Sequence, residues 1–226
     1  MKSIKPNNWE SYEIFALGLI YFVLILNIVI FKDDLVAVLS AFFGITYTML
    51  AGKGNPKCYL FGLAGSGLYS WLAFSNSLWG NLGLYMLYYI PMQSIGFFKW
   101  NNHLKKGQNE IIKTKLEFKE AVIIYASAIF LCIISIIILY GIGDKSPIID
   151  GITTIFSITG MYLTVKRCIE QWQVWIIVNG LSTIMWLNIA LGGEKVYSTV
   201  IMWFVYLLFA IYFYYKWRVE IRLTDE

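Results

Sequence analysis

Charge is scarce in this sequence, and it is almost missing from several long apolar stretches. Of the 226 residues, 58% are apolar and only 14% are charged, which excludes the composition of an ordinary soluble domain. At a rise of ~1.5 Å per residue, each stretch is long enough for a helix that crosses a ~30 Å hydrocarbon core. The eight stretches cover residues 12–31, 35–51, 58–74, 81–100, 118–141, 148–166, 171–191 and 196–217. The sequence therefore predicts an all-α integral membrane protein with eight transmembrane helices.

Side chains suited to catalysis or metal binding are also few. The one histidine, His103, lies in a basic loop, where no cysteine or carboxylate converges on it. Cys58, Cys132 and Cys168 stand singly on different segments, so they predict neither a disulfide framework nor a metal site. The sequence has no G-x-x-x-x-G-K-[ST] loop, so we expect no ATP hydrolysis by this chain. We expect no cofactor and no metal, and an intramembrane enzyme is disfavoured.

Basic residues are distributed asymmetrically along the chain. Of the 18 Lys and Arg, only Lys32, Lys145 and Lys195 fall on one side of the alternating stretches. Under the positive-inside rule, this distribution puts both termini in the cytoplasm. The basic run from His103 to Lys119 is then predicted as a cytoplasmic loop that faces anionic lipid. The net charge of +4 therefore needs no nucleic-acid partner to explain it.

An internal repeat relates two parts of the chain at an offset of 115 to 117 residues. The matched pairs are Tyr47 with Tyr162, Gly65 with Gly180, Trp71 with Trp186, and Lys99-Trp100 with Lys216-Trp217. Each half has three helices, and the single helix between the halves makes both face the same way. We therefore predict one extra N-terminal helix followed by a SWEET-like 3+1+3 parallel repeat, an architecture typical of transporters. Its segments are 1–34, 35–100, 101–147, 148–217 and 218–226.

A candidate binding stripe lies in the segment "EQWQVWIIVNGLSTIMW", residues 170–186. The spacing i, i+3, i+7, i+10, i+14 places five side chains on one helical stripe: Trp172, Trp175, Asn179, Ser182 and Trp186. An unpaired amide is costly in hydrocarbon, so the stripe is expected to face the bundle interior or a wet cavity. Two structural alternatives stay open. Trp172 fits a membrane-interface position, and Asn179 with Ser182 fits interhelical hydrogen bonding.

A second candidate face lies in "NLGLYMLYYIPMQSIGFFKW", residues 81–100. Tyr85, Tyr89 and Gln93 follow helical spacing, and Tyr88 lies on the shoulder of their stripe. Pro91 removes a backbone hydrogen bond, so a kink is expected beside these side chains, with either a hinge or a packing role. The preceding stretch offers small residues that permit close helix approach: Gly62, Gly65, Ser66 and Gly67.

The missing charges also limit the solute that such a protein carries. All 14 acidic residues fall at helix ends or in loops, so we expect no proton relay within the membrane, while sodium coupling stays open. No Lys or Arg falls at the midplane, so nothing there would offset the desolvation of a phosphate group. The remaining amides, phenols and indoles suit an uncharged or cationic solute with an aromatic ring and hydroxyl groups.

The two quoted segments resemble the PnuC family of vitamin transporters. The first is similar to the W-x-x-W-I-x-x-N segment of that family, and "YMLYYIPMQSIGFFKW" is similar to its Y-x-x-x-Q-x-x-G-x-x-x-W segment. The resemblance implies uptake of the vitamin B3 precursor nicotinamide riboside by facilitated diffusion, with trapping by a cytoplasmic kinase. It also implies one substrate site between the halves. Its residues are Trp175, Asn179, Gln93, Tyr85 and Tyr89, with Trp172, Trp186 and Tyr88.

The resemblance leaves the vitamin itself open, because similar proteins carry thiamine or riboflavin. A membrane subunit that serves an ATP-driven partner is a further alternative. The implied location is the bacterial inner membrane, with a multi-pass chain. The expected partners are the small-molecule substrate, the lipid bilayer and further copies of the chain in a homo-oligomer, and no nucleic acid is expected.

Overall fold

The fold is built from helices that follow the predicted apolar stretches closely. The computed structural model describes residues 9–31, 34–75, 79–106, 110–141, 143, 147–192 and 197–225. The helices are α1 (Ser11–Phe31), α2 (Leu35–Gly52), α3 (Cys58–Ser75), α4 (Trp79–Leu84), a π-helical turn (Tyr85–Tyr89), α5 (Ile90–Asn101), α6 (Phe118–Gly141), α7 (Pro147–Val165), α8 (Glu170–Leu191) and α9 (Tyr197–Asp225). Among the described residues there is no strand beyond two isolated bridges, so the predicted all-helical fold is confirmed. Lys32, Lys145 and Lys195, on which the predicted orientation depends, lie outside the described residues.

Five helices in the described ranges are long and apolar enough to cross a membrane. They are Ser11–Ile30, Leu35–Gly52, Phe118–Gly141, Pro147–Val165 and Tyr197–Leu223. α3 and α8 are less apolar, because glycine, serine and amide side chains are interspersed among their apolar residues. Several spans in one chain make this a multi-pass membrane fold.

The chain forms two compact units. The first contains the described residues of Met1–Ile112 and Gly193–Met202, and the second those of Lys113–Gly192 and Trp203–Glu226. In the first unit α2 and α3 approach closely at small residues. A Cβ atom on Gly62 would lie 2.8 Å from Tyr47 Cδ2, and one on Gly65 would lie 3.3 Å from Phe43 Cβ. The predicted use of small residues for close helix approach is confirmed at both glycines, whereas Gly67 faces open space.

The extra N-terminal helix is firmly attached to the first unit. The Tyr21 hydroxyl lies 2.8 Å from Thr46 Oγ1, and the Tyr21 ring lies 4.5 Å from the Phe42 ring. In the first turn of α1, Glu13 forms an ion pair with Lys53, and both side chains are buried. α1 is therefore joined at its first turn to the end of α2, and at its middle to the middle of α2.

The second unit combines the predicted linker helix with the helices that follow it. α6 and α7 meet at Gly151, where a Cβ atom would lie 2.8 Å from the Ile136 side chain. A buried apolar cluster ties α7 and α8 together: Leu116, Leu163, Cys168 and Val174. α9 runs on to Asp225, so the segment predicted as a tail, 218–226, is helical as far as it is described.

The connections after α2 and after α7 share one local geometry. Gly54 and Arg167 both have left-handed backbone, with φ values of 66° and 65°. The carbonyl of each accepts a hydrogen bond from the segment before α6: Ile111 N donates to Gly54 O at 2.9 Å, and Thr114 N to Arg167 O at 3.0 Å. In the described part of the predicted lipid-facing basic loop, Lys113 also forms an ion pair with Glu220.

Candidate functional site

The predicted stripe on α8 is present in the second unit. Asn179 and Ser182 are each 3% exposed, whereas Trp175 and Trp186 are half-buried. The glutamate that begins the helix, Glu170, accepts hydrogen bonds from Leu116 N at 3.2 Å. Burial raises the pKa of its carboxyl, which lies before the apolar span 171–191. The stripe itself therefore carries no charge.

Asn179 and Ser182 keep their polar groups uncommitted. In the part of the chain that the structure describes, no group hydrogen-bonds to the Asn179 carboxamide or to the Ser182 hydroxyl; only the backbone carbonyl of Asn179 is engaged, by the Thr183 hydroxyl at 2.7 Å. The alternative of interhelical hydrogen bonding thus has no contact to support it here, and both groups can bind a ligand or water.

Trp175 is held against α7 by its N–H and by one side of its ring. Its Nε1 donates to Thr164 Oγ1 at 3.1 Å, and that hydroxyl donates to Gly160 O at 2.8 Å. A Cβ atom on Gly160 would lie 3.0 Å from Trp175 Cε2, which puts the glycine backbone directly against the indole. The indole N–H is therefore already used, and the ring is what remains for a ligand.

Trp172 lies in an aromatic cluster at the start of α8. Its ring centroid is 5.5 Å from that of Phe213 and 5.6 Å from that of Trp217, and the residue is only 2% exposed. A membrane-interface tryptophan would be more exposed than this. Its Nε1 has no hydrogen-bond partner among the described residues. Trp172 thus packs on its helix neighbours, and its role in substrate binding stays a prediction.

The second predicted face coincides with the π-helical turn in the first unit. Tyr85, Tyr88 and Tyr89 all belong to that turn, in which the N–H of Ile90 bonds to the Tyr85 carbonyl. The Tyr85 and Tyr89 rings lie 4.8 Å apart, and those of Tyr88 and Tyr89 lie 5.9 Å apart. Pro91, which follows, cannot donate to a carbonyl one turn back, and an extra residue in the preceding turn is one way to accommodate it. π-helical turns are frequent at functional sites.

Gln93 lies one turn after this cluster and is 4% exposed. Its Nε2 donates to Ser66 Oγ at 3.0 Å, and the same hydroxyl lies 3.3 Å from Oε1. The carboxamide also packs against Gly62, where a Cβ atom would lie 3.2 Å from its Cδ. Unlike Asn179, Gln93 is therefore engaged within the protein.

Further residues, which the sequence analysis did not identify, contact the α8 stripe and the tyrosines of the π-helical turn. Tyr69 of α3 stacks on Tyr85 at 4.4 Å with an interplanar angle of 27°. It also lines a small cleft of about 30 Å³ in the first unit, together with Ala37, Ser40, Ala41, Thr199 and Met202. Since a buried water needs ~10–15 Å³ of such space, this cleft has room for water but not for a nucleoside. No motif marked Tyr69, Thr164 or Gly160, because each acts through a neighbour on another helix.

The described residues contain no group of three or more His, Cys, Asp or Glu that could hold a metal ion. The candidate residues on α8 and in the π-helical turn include no charged side chain. The polar chemistry of the candidate site therefore consists of amides, hydroxyls and aromatic rings.

Comparison with known proteins decides the family. A family model described as "Nicotinamide mononucleotide transporter" matches residues 34–219. The chain belongs to this family. The resemblance drawn from the two sequence segments is confirmed, and the protein is a multi-pass membrane transporter rather than an enzyme.

Individual members of the transporter family match nearly the whole chain. A protein of Neisseria mucosa described as "Nicotinamide riboside transporter PnuC" is 32% identical, over 92% of this chain and 81% of the relative. A Haemophilus influenzae protein of the same description is 27% identical, over 97% of this chain and 95% of the relative. The "Crystal structure of the Vitamin B3 transporter PnuC" has a TM-score of 0.83 at 28% identity, and the match covers 95% of this chain and 94% of that one.

Proposed function

We propose that this family member imports nicotinamide riboside across the bacterial inner membrane. The observation that carries the proposal is the match of nearly the whole chain to two bacterial proteins described as nicotinamide riboside transporters. The solved structure described as a vitamin B3 transporter, with the same fold, agrees with this substrate class.

The proposed substrate contacts come from the predicted residues. They are Trp175, Asn179, Gln93, Tyr85, Tyr89, Trp172, Trp186, Tyr88 and Ser182. Asn179 and Ser182 would bond to the carboxamide or the ribose hydroxyls, because their polar groups are uncommitted. The pyridinium ring would lie on the Trp175 indole, where a cation gains ~0.5 to 2 kcal/mol.

The choice of the riboside over its mononucleotide rests on charge. The matching family model is described by the mononucleotide, whereas the curated relatives are described by the riboside. A phosphate needs cationic partners when it leaves water. Here Lys and Arg occur only near the ends of the apolar stretches, and Lys53 is already paired with Glu13. The phosphorylated form is therefore expected to be excluded.

The proposed mechanism is facilitated diffusion by alternating access, within an eight-span fold arranged as one extra helix and a 3+1+3 repeat. Gly54 and Arg167 each lie two residues after their helix, α2 or α7, and their matching geometry supports the repeat. Both termini would be cytoplasmic. The π-helical turn and Pro91 would let the fourth span bend, and a cytoplasmic kinase would trap the riboside as its nucleotide.

The test is uptake by the purified protein alone in liposomes without ATP. Radiolabelled nicotinamide riboside should enter saturably, stop at equal concentrations inside and outside, and be blocked by unlabelled riboside but not by the mononucleotide. Liposomes loaded with a riboside kinase and ATP should accumulate label above that level. Stronger block by thiamine or riboflavin would replace the substrate, and no uptake would refute the proposal.

A matched pair of variants tests the α8 stripe. Asn179 is buried on the stripe, while Asn188 is exposed on the same helix. Asn179→Leu should weaken riboside binding about threefold to tenfold, since a hydrogen bond between neutral groups contributes ~0.5–1.5 kcal/mol. Asn188→Leu should change it less than about twofold. Equal effects of the two variants would move the site away from the stripe.

A further inference from the structure

The orientation of Trp175 is fixed by two residues of α7 that no motif marks. Gly160 and Thr164 lie four residues apart, on one face of the helix. Both are buried, and Thr164 is 1% exposed. Trp175 of α8 reaches this face and is itself half-buried.

The hydrogen bonds run in one direction from the indole to the helix backbone. Trp175 Nε1–H donates to Thr164 Oγ1 at 3.1 Å, and the Thr164 hydroxyl donates to Gly160 O at 2.8 Å. Because the hydroxyl hydrogen is committed to the carbonyl, its lone pairs are left to accept from the indole. The side chain of Thr164 therefore fixes the rotation of the indole about its own axis.

The glycine fixes the plane of the ring. A Cβ atom on Gly160 would lie 3.0, 3.1 and 3.3 Å from Trp175 Cε2, Cζ2 and Cδ2. Three nearly equal distances to consecutive ring atoms mean that this position lies over the ring face and not beyond its edge. One face is thus covered by the Gly160 backbone. No aromatic ring among the described residues packs on the other face.

We infer that Gly160 and Thr164 are positioning residues that turn Trp175 into a stacking surface for a flat cationic ring. This inference rests on the proposed function. With its N–H satisfied inside the protein, the indole recognises a ligand through the ring face alone. Such a surface favours the aromatic pyridinium of the riboside over the reduced dihydropyridine form, which has neither the charge nor the aromatic ring. The α7 pair therefore determines specificity as well as affinity.

The test is a set of α7 variants, with ligand affinity measured by calorimetry for nicotinamide riboside and for its reduced form. Thr164→Val keeps the shape but removes the acceptor, and it should weaken riboside binding about fivefold while hardly changing the affinity for the reduced form. Thr164→Ser restores the hydroxyl and should restore affinity. Gly160→Ala pushes against the ring and should act like Thr164→Val.

A second background separates positioning from a general loss of structure. Phenylalanine has no N–H, so in the Trp175→Phe variant the further change Thr164→Val should cost less than about twofold. If Thr164→Val reduces riboside affinity equally in the wild-type and Trp175→Phe backgrounds, the inference is wrong. It is also wrong if the Thr164→Val variant binds the riboside as tightly as wild type. If wild-type protein binds no riboside, the proposed function fails instead. If Trp175→Phe and Trp175→Ala both bind normally, the stacking role of Trp175 is wrong.

Discussion

The buried ion pair between Glu13 and Lys53 offers a sharp test of how α1 is held to the rest of the first unit. Both side chains are only 2% exposed, and the Lys53 ammonium also lies 4.9 Å from the centre of the Trp9 ring. Replacing Lys53 with Met keeps most of the volume but leaves a buried carboxylate without its cation. Removing one partner of a buried pair usually costs ~3–5 kcal/mol.

The destabilisation by Lys53→Met has an upper limit, because the Glu13 carboxylate can become neutral by taking up a proton. Neutralising an ordinary glutamate at pH 7 costs ~3.7 kcal/mol, so Lys53→Met should lower the free energy of unfolding by ~3–4 kcal/mol. The loss should shrink as the pH is lowered toward 5. In the double variant Glu13→Gln/Lys53→Met no buried charge remains, and most of the stability should return because neutral replacements of buried pairs are often tolerated.

The assay is unfolding of the detergent-solubilised protein by sodium dodecyl sulfate, followed by circular dichroism. Lys57→Met is the matched control, since Lys57 is an exposed lysine nearby, and its effect should stay within ~0.5 kcal/mol. A loss below ~1 kcal/mol for Lys53→Met would refute the reasoning. So would a double variant that is as unstable as the single one.

Three further predictions concern helix contact, pH and the cleft. Gly96→Ala should destabilise the protein, because the new Cβ would clash with the Tyr59 ring and hydroxyl. Gly67→Ala is the control: Gly67 faces open space, so this variant should be neutral or more stable by up to ~1 kcal/mol. Thermal unfolding temperatures of the two variants and the wild type make the comparison. Burial raises the pKa of Glu170, so its charged form is penalised in the folded state as the pH rises through that value. Glu170→Gln should therefore be more stable than wild type at pH 8, with the difference fading below pH ~4.5, as unfolding titrations at both pH values would show. Tyr69→Phe should keep the stack on Tyr85 and preserve riboside uptake in liposomes, whereas Tyr69→Ala should reduce it about threefold or more.

The sequence predicted the helices well, because apolar length alone selects them in a membrane. Stretch 118–141 became α6 without any shift, since no charged residue follows Glu120 within it. The same reasoning placed a kink at Pro91, yet it did not specify the π-helical turn at Tyr85–Tyr89. A missing N–H can be accommodated by a bend, a bound water or an inserted residue, and the sequence does not distinguish these.

The hydrogen bonds and packing contacts of individual side chains were less predictable, because they depend on which helices are neighbours. Periodicity put Trp172 and Trp175 on one stripe, and both remain on it. It did not foresee that Trp172 packs on Phe213, or that Trp175 donates to Thr164. The docking of Thr114 onto the connection at Arg167 was missed for the same reason, since a short polar segment carries no periodic signal.

The contact between Gln93 and Ser66 separates two roles for Gln93 that its burial alone does not. If Gln93 only joins α5 to α3, Ser66→Ala should lower stability and leave riboside affinity unchanged. If Gln93 binds substrate, the serine competes with the ligand for the same carboxamide, which lies 3.0 Å from the hydroxyl. Ser66→Ala would then lower stability but raise affinity, by up to about fivefold for one hydrogen bond that no longer has to break.

Ser70 provides the control for this experiment. It lies one turn further along α3, is buried, and donates to the Ser66 carbonyl at 2.8 Å, so Ser70→Ala removes a hydroxyl from the same helix without touching Gln93. Calorimetry of riboside binding to both variants gives the answer. A rise in affinity for Ser66→Ala alone assigns Gln93 to the substrate. Unchanged affinity in both, with reduced stability for Ser66→Ala, removes Gln93 from the site and leaves the hydrogen bonding of the ligand to the uncommitted groups of Asn179 and Ser182.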